Sequence, residues 1–332
     1  MNLTNSEILF QISKKSERQI IGLMSGIVLN CLQQWNIPTT DVDLIASHGQ
    51  TVYHAPKSFH GMCGEPNSTL QVGDGDHISV KTGILTVSDF RQKHVAAGGE
   101  GAPLALYGDY FIFSKQGENR IMLNIGGISN ISCLYGDLDP TKAFATDLGP
   151  GNTMIDTFTR EHFNQDCDYD GKIAKQGQVN MLLLTALKSH PFFSAPFPKT
   201  TGPELFNLSY IQNAQISSAT TNISNNNIVA TLTRFTAEVI ADGINKVCVE
   251  DHSFKIFASG GGVHNPVLYD HIQNLLSQTQ IKLTEELGIP GDAKEAILFA
   301  TLANELVAGG RTNFGDRLGI PSVSMGKISF PG

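Results

Sequence analysis

One carboxylate and three glycine turns carry most of the chemistry legible in this sequence. Asp147 opens the run Asp147-Leu148-Gly149-Pro150-Gly151-Asn152, behind a short apolar stretch. Leu123-Asn124-Ile125-Gly126-Gly127-Ile128-Ser129-Asn130 and Ser259-Gly260-Gly261-Gly262-Val263-His264-Asn265-Pro266 are built alike. Glycine tolerates positive φ and leaves backbone N–H groups uncovered. Successive uncovered N–H groups make an anion nest. An acid among such nests fits phosphoryl transfer, where catalysis is mostly positioning and charge stabilisation.

Each feature also has a plainer reading. Gly126-Gly127 alone is a tight hairpin turn, although Asn124 and Asn130 beside it suit a phosphate or a metal-bound water. The run 259–266 sits between an expected strand and an expected helix, the arrangement that binds nucleotides and also that of any βα loop. Asp147, expected at a strand end, is placed to act as a general base or to hold a metal-bound water. As a helix N-cap it is less well placed than Asn152. His48, in His48-Gly49-Gln50-Thr51, is either a satisfied loop histidine or part of a ligand loop. Arg91 either pairs with Asp89 or clamps a substrate carboxylate. Glu295, three residues after Asp292, reads as a capping-box partner.

The elements that must position these residues alternate. Apolar spacing predicts a helix over 18–35 and further helices near 153–163, 177–189, 227–249, 266–277 and 292–308. Short strands are expected at 42–47 and 84–87, the second ending in Asp89-Phe90-Arg91. A hairpin is expected over 120–135 and a polar loop over 217–227. Strands alternating with helices imply an α/β fold. The 332 residues suffice for two domains. A net charge of -8 offers no basic field for nucleic acid or an anionic membrane. Five scattered cysteines form no zinc-type cluster and suggest free thiols in a reducing cytoplasm. The N-terminus does not read as a signal peptide, and no apolar run approaches spanning length.

In order, the chain carries His48-Gly49-Gln50-Thr51, Asp89-Phe90-Arg91, Gly98-Gly99-Glu100-Gly101-Ala102-Pro103-Leu104 and Leu123 through Gly127. Asp147 through Asn152, Ser259 through Pro266, and Gly291-Asp292 with Glu295-Ala296 follow. Together these resemble the anhydro-N-acetylmuramic acid kinase family from about residue 16 onward. The resemblance implies two RNase-H-like (actin/hexokinase-type) domains around a cleft, the first from 1–118 plus 311–332 and the second from 119–310. It implies an enzyme that uses ATP, Mg²⁺ and water to open a 1,6-anhydro sugar and phosphorylate O6, giving N-acetylmuramic acid 6-phosphate in peptidoglycan recycling. Asp147 would activate the water, and Glu295 would join it in catalysis while lining the sugar pocket. His48, Gln50, Arg91, Gly149 and Asn152 would bind the sugar. Asn124, Gly126, Gly127 and Asn130 would form a phosphate loop, and Gly260, Gly261, Gly262 and Asn265 an adenosine loop. No residue is expected as a dedicated metal ligand, and a homodimer is left open.

The chain departs from the family pattern in places. The family's first phosphate loop has the form G-x-M-S-G-T-S-x-D-G, whereas here Gly22-Leu23-Met24-Ser25-Gly26 runs into Ile27-Val28-Leu29. The match is either a remnant of that loop or a coincidence within a helix. The unbroken apolar face through Ile21, Met24, Ile27 and Val28 favours the helix. The first domain is therefore expected to be N-terminally truncated and the chain to be a poor kinase. His94 stands where the family usually has Asp, and Leu148 where Thr is usual. An inactive sugar-binding homologue, or another sugar kinase of the same superfamily, are the alternatives.

Overall fold

A computed structural model of the chain describes residues 22–57, 61, 62, 64–248, 253–317 and 319–332. Its strands are β1 (Ile45–Ala46), β2 (Gln50–Ala55), β3 (Ser68–Val72), β4 (Thr86–Ser88), β5 (Asn119–Ile125), β6 (Ile128–Leu134), β7 (Phe144–Pro150), β8 (Phe254–Ser259), β9 (Ile281–Leu283) and β10 (Lys327–Ser329). Helices lie between several of them, so the fold is mixed α/β. Among the described residues, those up to Ile112 together with Glu295–Gly332 form one compact unit, and Phe113–Lys294 form the other.

The second unit is built on a five-stranded sheet of order β7-β6-β5-β8-β9. β5, β6 and β7 are antiparallel neighbours, while β5, β8 and β9 run parallel. Strands covered on both faces read as continuous apolar runs, and Ile121, Met122 and Leu123 of β5 are all fully buried. The long helix Asn225–Val247 packs Leu232, Phe235 and Ile240 into this core, and Thr153–Phe163 contributes Met154, Ile155 and Phe158. Side-chain caps start several helices: Asn180 accepts from Leu183 N, Asn207 from Tyr210 N, and Ser224 from Asn227 N.

The first unit holds a three-stranded sheet, β1-β4-β10, and the ribbon β2-β3. β4 ends at Ser88, Asp89 adopts a left-handed conformation (φ 55°), and the helix Phe90–Ala96 begins at once. The helix Lys294–Val307 joins this unit through its buried side. Leu298 lies so close to Gly108 that a Cβ there would come within 2.4 Å of Leu298 Cγ, and Phe299 packs on Phe90 at 5.1 Å. The chain passes between the two units at 112/113 and 294/295.

Several expected elements move. The helix expected over 18–35 is present over 22–34; residues 18–21 lie outside the described part, as does residue 249 of the helix expected to end there. Gly22 through Gly26 are helical and Ser25 is fully buried, so this run is not a phosphate hairpin. The helix expected over 177–189 narrows to Met181–Lys188. The polar loop shrinks to about 218–224, because Leu208–Ser217 is a helix and the long helix starts at Asn225. Gln50 and Thr51 belong to β2 rather than to a loop.

Candidate active-site residues

In the second unit the three glycine turns meet at one end of the sheet. Gly151 N donates to Gly127 O at 2.8 Å, Asn152 N to Gly126 O at 2.8 Å, and Thr153 N to Gly127 O at 3.1 Å. The third turn is packed on the first. A Cβ on Gly260 (φ 90°) would lie 2.7 Å from both Asn124 Oδ1 and Ile125 O, and one on Gly262 would lie 2.2 Å from Ile125 Cγ2. Two glycines differ. A Cβ on Gly261 would find only Asn152 Nδ2, at 3.7 Å, and one on Gly126 only Asn124 Nδ2, at 3.4 Å, and Ile128 O, at 3.6 Å. The fold therefore leaves room at Gly126 and Gly261, where backbone can meet a ligand, whereas Gly260 and Gly262 are required by the protein's own packing. Asn265 serves the fold itself. Its Oδ1 accepts from Val267 N and Leu268 N, capping the helix Pro266–Leu275.

Strand register assembles the polar residues. Asn124 is opposite Asn130 and Ser259, and Asn130 is opposite Asp147. Residues directly opposite share a sheet face, so Asp147, Asn130, Asn124 and Ser259 form one row across four strands. Asp147 lies within β7 rather than at its end. A bulge displaces Leu148 from the ladder between the pairs Asn130–Asp147 and Ser129–Gly149. Leu148 is buried, its Cδ2 so close to Gly243 that a Cβ there would sit 2.5 Å away. Asn152 holds the N-cap position of Thr153–Phe163 but makes no side-chain cap; its Nδ2 reaches Ile125 O at 3.5 Å instead.

A segment with no signal in the sequence analysis closes over Asp147. Asp147 N donates to Lys199 O at 2.9 Å, and Thr201 N donates to Asp147 Oδ2 at 2.8 Å. Burial pushes the Asp147 carboxyl up to about 6; the Thr201 N–H opposes this and the charge of Glu204 adds to it. Lys199, Thr201 and Glu204 belong to a Pro/Thr-rich stretch without periodicity, which is why hydrophobic spacing passed over it. The arrangement gives a half-buried carboxylate a basicity suited to proton transfer near neutral pH.

In the first unit, Arg91 and His48 form a bonded pair. Arg91 Nε donates to His48 Nε2 at 2.8 Å and Arg91 Nη1 to Gly101 O at 2.7 Å. The ring is therefore neutral, with its proton on Nδ1, which faces Gly49 O at 2.9 Å. Burial, and then the Arg91 charge, hold the His48 pKa below its ordinary value. The ring also leans on Phe299 at 4.6 Å. Glu295, exposed in the first turn of Lys294–Val307, acts electrostatically on both Arg91 and His48. Its expected partner in a capping box, Asp292, lies instead inside the short turn Gly291–Ala293. Gln50 is exposed at the start of β2, its amide reaching Thr51 O at 3.4 Å. Arg91 thus pairs with a histidine and a carbonyl rather than with Asp89. Asp147 belongs to one unit and Glu295, His48, Gln50 and Arg91 to the other.

A family model described as anhydro-N-acetylmuramic acid kinase matches residues 3–329. The chain is 52% identical over 315 residues to the anhydro-N-acetylmuramic acid kinase of Pseudoalteromonas atlantica, covering 94% of this chain and 79% of that protein. It is 48% identical over 314 residues to the protein so named in Pseudoalteromonas translucida, with 93% and 78% covered. With that of Aliivibrio fischeri the identity is 36% over 332 residues, covering 99% and 85%. Among solved structures, the ADPNP-bound activator of 2-hydroxyisocaproyl-CoA dehydratase from Clostridium difficile is similar over 70% of this chain and 83% of its own, at 14% identity and a TM-score of 0.37.

Proposed function

The chain belongs to the anhydro-N-acetylmuramic acid kinase family, and from that premise we propose how its own residues serve the reaction. The family reaction converts 1,6-anhydro-N-acetylmuramic acid, water and ATP to N-acetylmuramic acid 6-phosphate and ADP, a step of peptidoglycan recycling. Asp147 accepts a proton from water as the water oxygen attacks the anomeric carbon. The bond from that carbon to O6 breaks, and O6 becomes the nucleophile toward phosphorus. ATP supplies the γ-phosphoryl group and leaves as ADP. Arg91 and His48 bind the sugar, Arg91 through its charge and His48 as a neutral ring. Gln50 and Glu295 flank them, the Glu295 carboxylate acting on the Arg91 charge.

The glycine turns cradle the nucleotide, and the room at Gly126 and Gly261 supports that assignment. Asn124, Asn130 and Asn152 supply amides beside them. Among the described residues no group of three or more His, Cys, Asp or Glu side chains could hold a metal. A Mg²⁺ ion bound with the nucleotide would be held chiefly by the phosphates and water, with one or two carboxylates at most. For the second unit, three antiparallel strands followed by two parallel ones support an RNase-H-like, actin/hexokinase-type reading.

The observation that carries this proposal is the row Asp147–Asn130–Asn124 running into the converged turns. Asp147→Asn should lower kcat about 10²–10⁴-fold while ATP binding, followed by calorimetry, is retained. The assay is ADP release coupled to anhydro-sugar consumption. Near-normal turnover by a folded Asp147→Asn protein would remove Asp147 from the chemistry. Calorimetric sugar binding without any ADP release would instead show an inactive sugar binder.

A further inference from the structure

His94 sits at the middle of a continuous run of hydrogen bonds that reaches the sugar-binding pair. It is fully buried in the helix Phe90–Ala96. Gly101 N donates to its Nδ1 at 2.9 Å, so the ring proton lies on Nε2. Nε2 then donates to Tyr107 Oη at 3.1 Å, and the Tyr107 hydroxyl donates to Pro321 O at 2.9 Å. The tautomer is thus set from both sides. The carbonyl of the same Gly101 accepts from Arg91 Nη1 at 2.7 Å, and Arg91 Nε holds His48.

The loop is shaped around this ring. A Cβ on Gly99 would lie 2.2 Å from His94 Cε1, and Gly101 has φ 84°. His94 O also accepts from Gly99 N at 2.9 Å. One further side chain, Asn67, ties the loop by donating to Gly99 O at 2.9 Å.

We propose that His94 is the positioning residue of the sugar-binding side: by holding Gly101 N through Nδ1, it fixes the carbonyl that aims Arg91, and through Arg91 the His48 ring. This rests on the reading that Arg91 and His48 bind the anhydro sugar. His94 touches no substrate, so its effect appears in sugar affinity and passes through Arg91.

The test separates its two nitrogens. An Asn side-chain oxygen can take the place of Nδ1, and a Gln side-chain nitrogen the place of Nε2. His94→Asn should keep the acceptor for Gly101 and hold KM for the sugar within about threefold. His94→Gln keeps the donor to Tyr107 but loses that acceptor, and should raise sugar KM roughly tenfold, the effect of losing a hydrogen bond to a group that positions charge. In both variants kcat and KM for ATP should stay within about twofold. Adding His94→Gln to Arg91→Gln should cost little more than Arg91→Gln alone, since coupled residues are not additive.

Equal KM changes in the two variants, a loss confined to kcat, or full additivity with Arg91→Gln would overturn the proposal. An unchanged sugar KM in Arg91→Gln alone would instead sink the underlying reading of Arg91, and the proposal with it. Should His94→Gln fail to fold, Tyr107→Phe removes the partner of Nε2 and leaves the ring in place. That variant leaves Nδ1 on Gly101 N and should hold sugar KM within about threefold, whereas a tenfold rise would overturn the proposal.

Discussion

Asp147 and His48 reach their states by the same cause with opposite consequences. Burial disfavours charge, so it raises a carboxyl and lowers an imidazole. The Asp147 carboxyl stands at about 6, and the His48 ring titrates below its ordinary value. A base must be ionised to work, so kcat/KM should fall as pH drops below about 6, and that limb should vanish in Asp147→Asn. Protonating His48 would remove the acceptor for Arg91 Nε and weaken sugar binding on the same acid side. The stability sign for Asp147 runs the other way. Its folded pKa lies above the ordinary value near 3.8, so its favourable contribution is complete below that value and is lost as pH rises through about 6. Asp147→Asn should therefore be more stable than wild type at pH 8, by up to about 3 kcal/mol, while remaining inactive. Urea melts at pH 5 and pH 8 check this: an equal effect of the substitution at the two values would contradict the assigned titration.

The glycine turns were legible in the sequence because a missing side chain is itself a mark, and a run of them behind an apolar stretch points to a strand end. What each glycine does was not legible. Gly260 and Gly262 answer to Asn124 and Ile125, contacts set by strand pairing far apart in sequence, while a Cβ at Gly261 would meet only Asn152 Nδ2 at ordinary contact distance. This separates two substitutions in one turn. Gly260→Ala, forced to φ 90° against a carbonyl, should lose about 1–3 kcal/mol of stability. Gly261→Val should melt like wild type yet bind ATP at least tenfold more weakly. Differential scanning calorimetry with ATP titration distinguishes them, and unchanged ATP affinity in Gly261→Val would return this turn to an ordinary βα connection.

The hairpin β5–β6 and the helix Thr153–Phe163 were legible from periodicity. The helix Leu208–Ser217 was not, because Asn, Gln and Ser interrupt its apolar face and only Ile211 and Ala214 are buried among its hydrophobic residues. The ribbon β2–β3 escaped for a related reason: the apolar Val52, Tyr53 and Leu70 stay exposed while the polar Thr69 is buried, so apolar alternation does not mark its inner face. The segment covering Asp147 meets it through its own backbone, Lys199 O accepting from Asp147 N and Thr201 N donating to the Asp147 carboxylate, which no side-chain pattern announces.

The order of the chain also has a consequence for how the protein is made. The second unit is continuous, from Phe113 to Lys294, whereas the first is closed by residues synthesised after it. β10 pairs with β4 through Lys327↔Ser88 and Ser329↔Thr86, a closure of more than two hundred residues. Long-range pairing of this kind is slow because loop-closure entropy must be met before the contacts form. A fragment spanning 113–294 should therefore fold alone and melt cooperatively, and a chain ending at 294 should show a protease-resistant core of the same size. Failure of that fragment to resist thermolysin would mean that its core needs the rest of the chain. On the ribosome, the unit of residues 113–294 can mature while residues 22–112 still wait for β10. For that interval the β4 edge remains unpaired on the side β10 will take, an opening for chaperones and for aggregation alike.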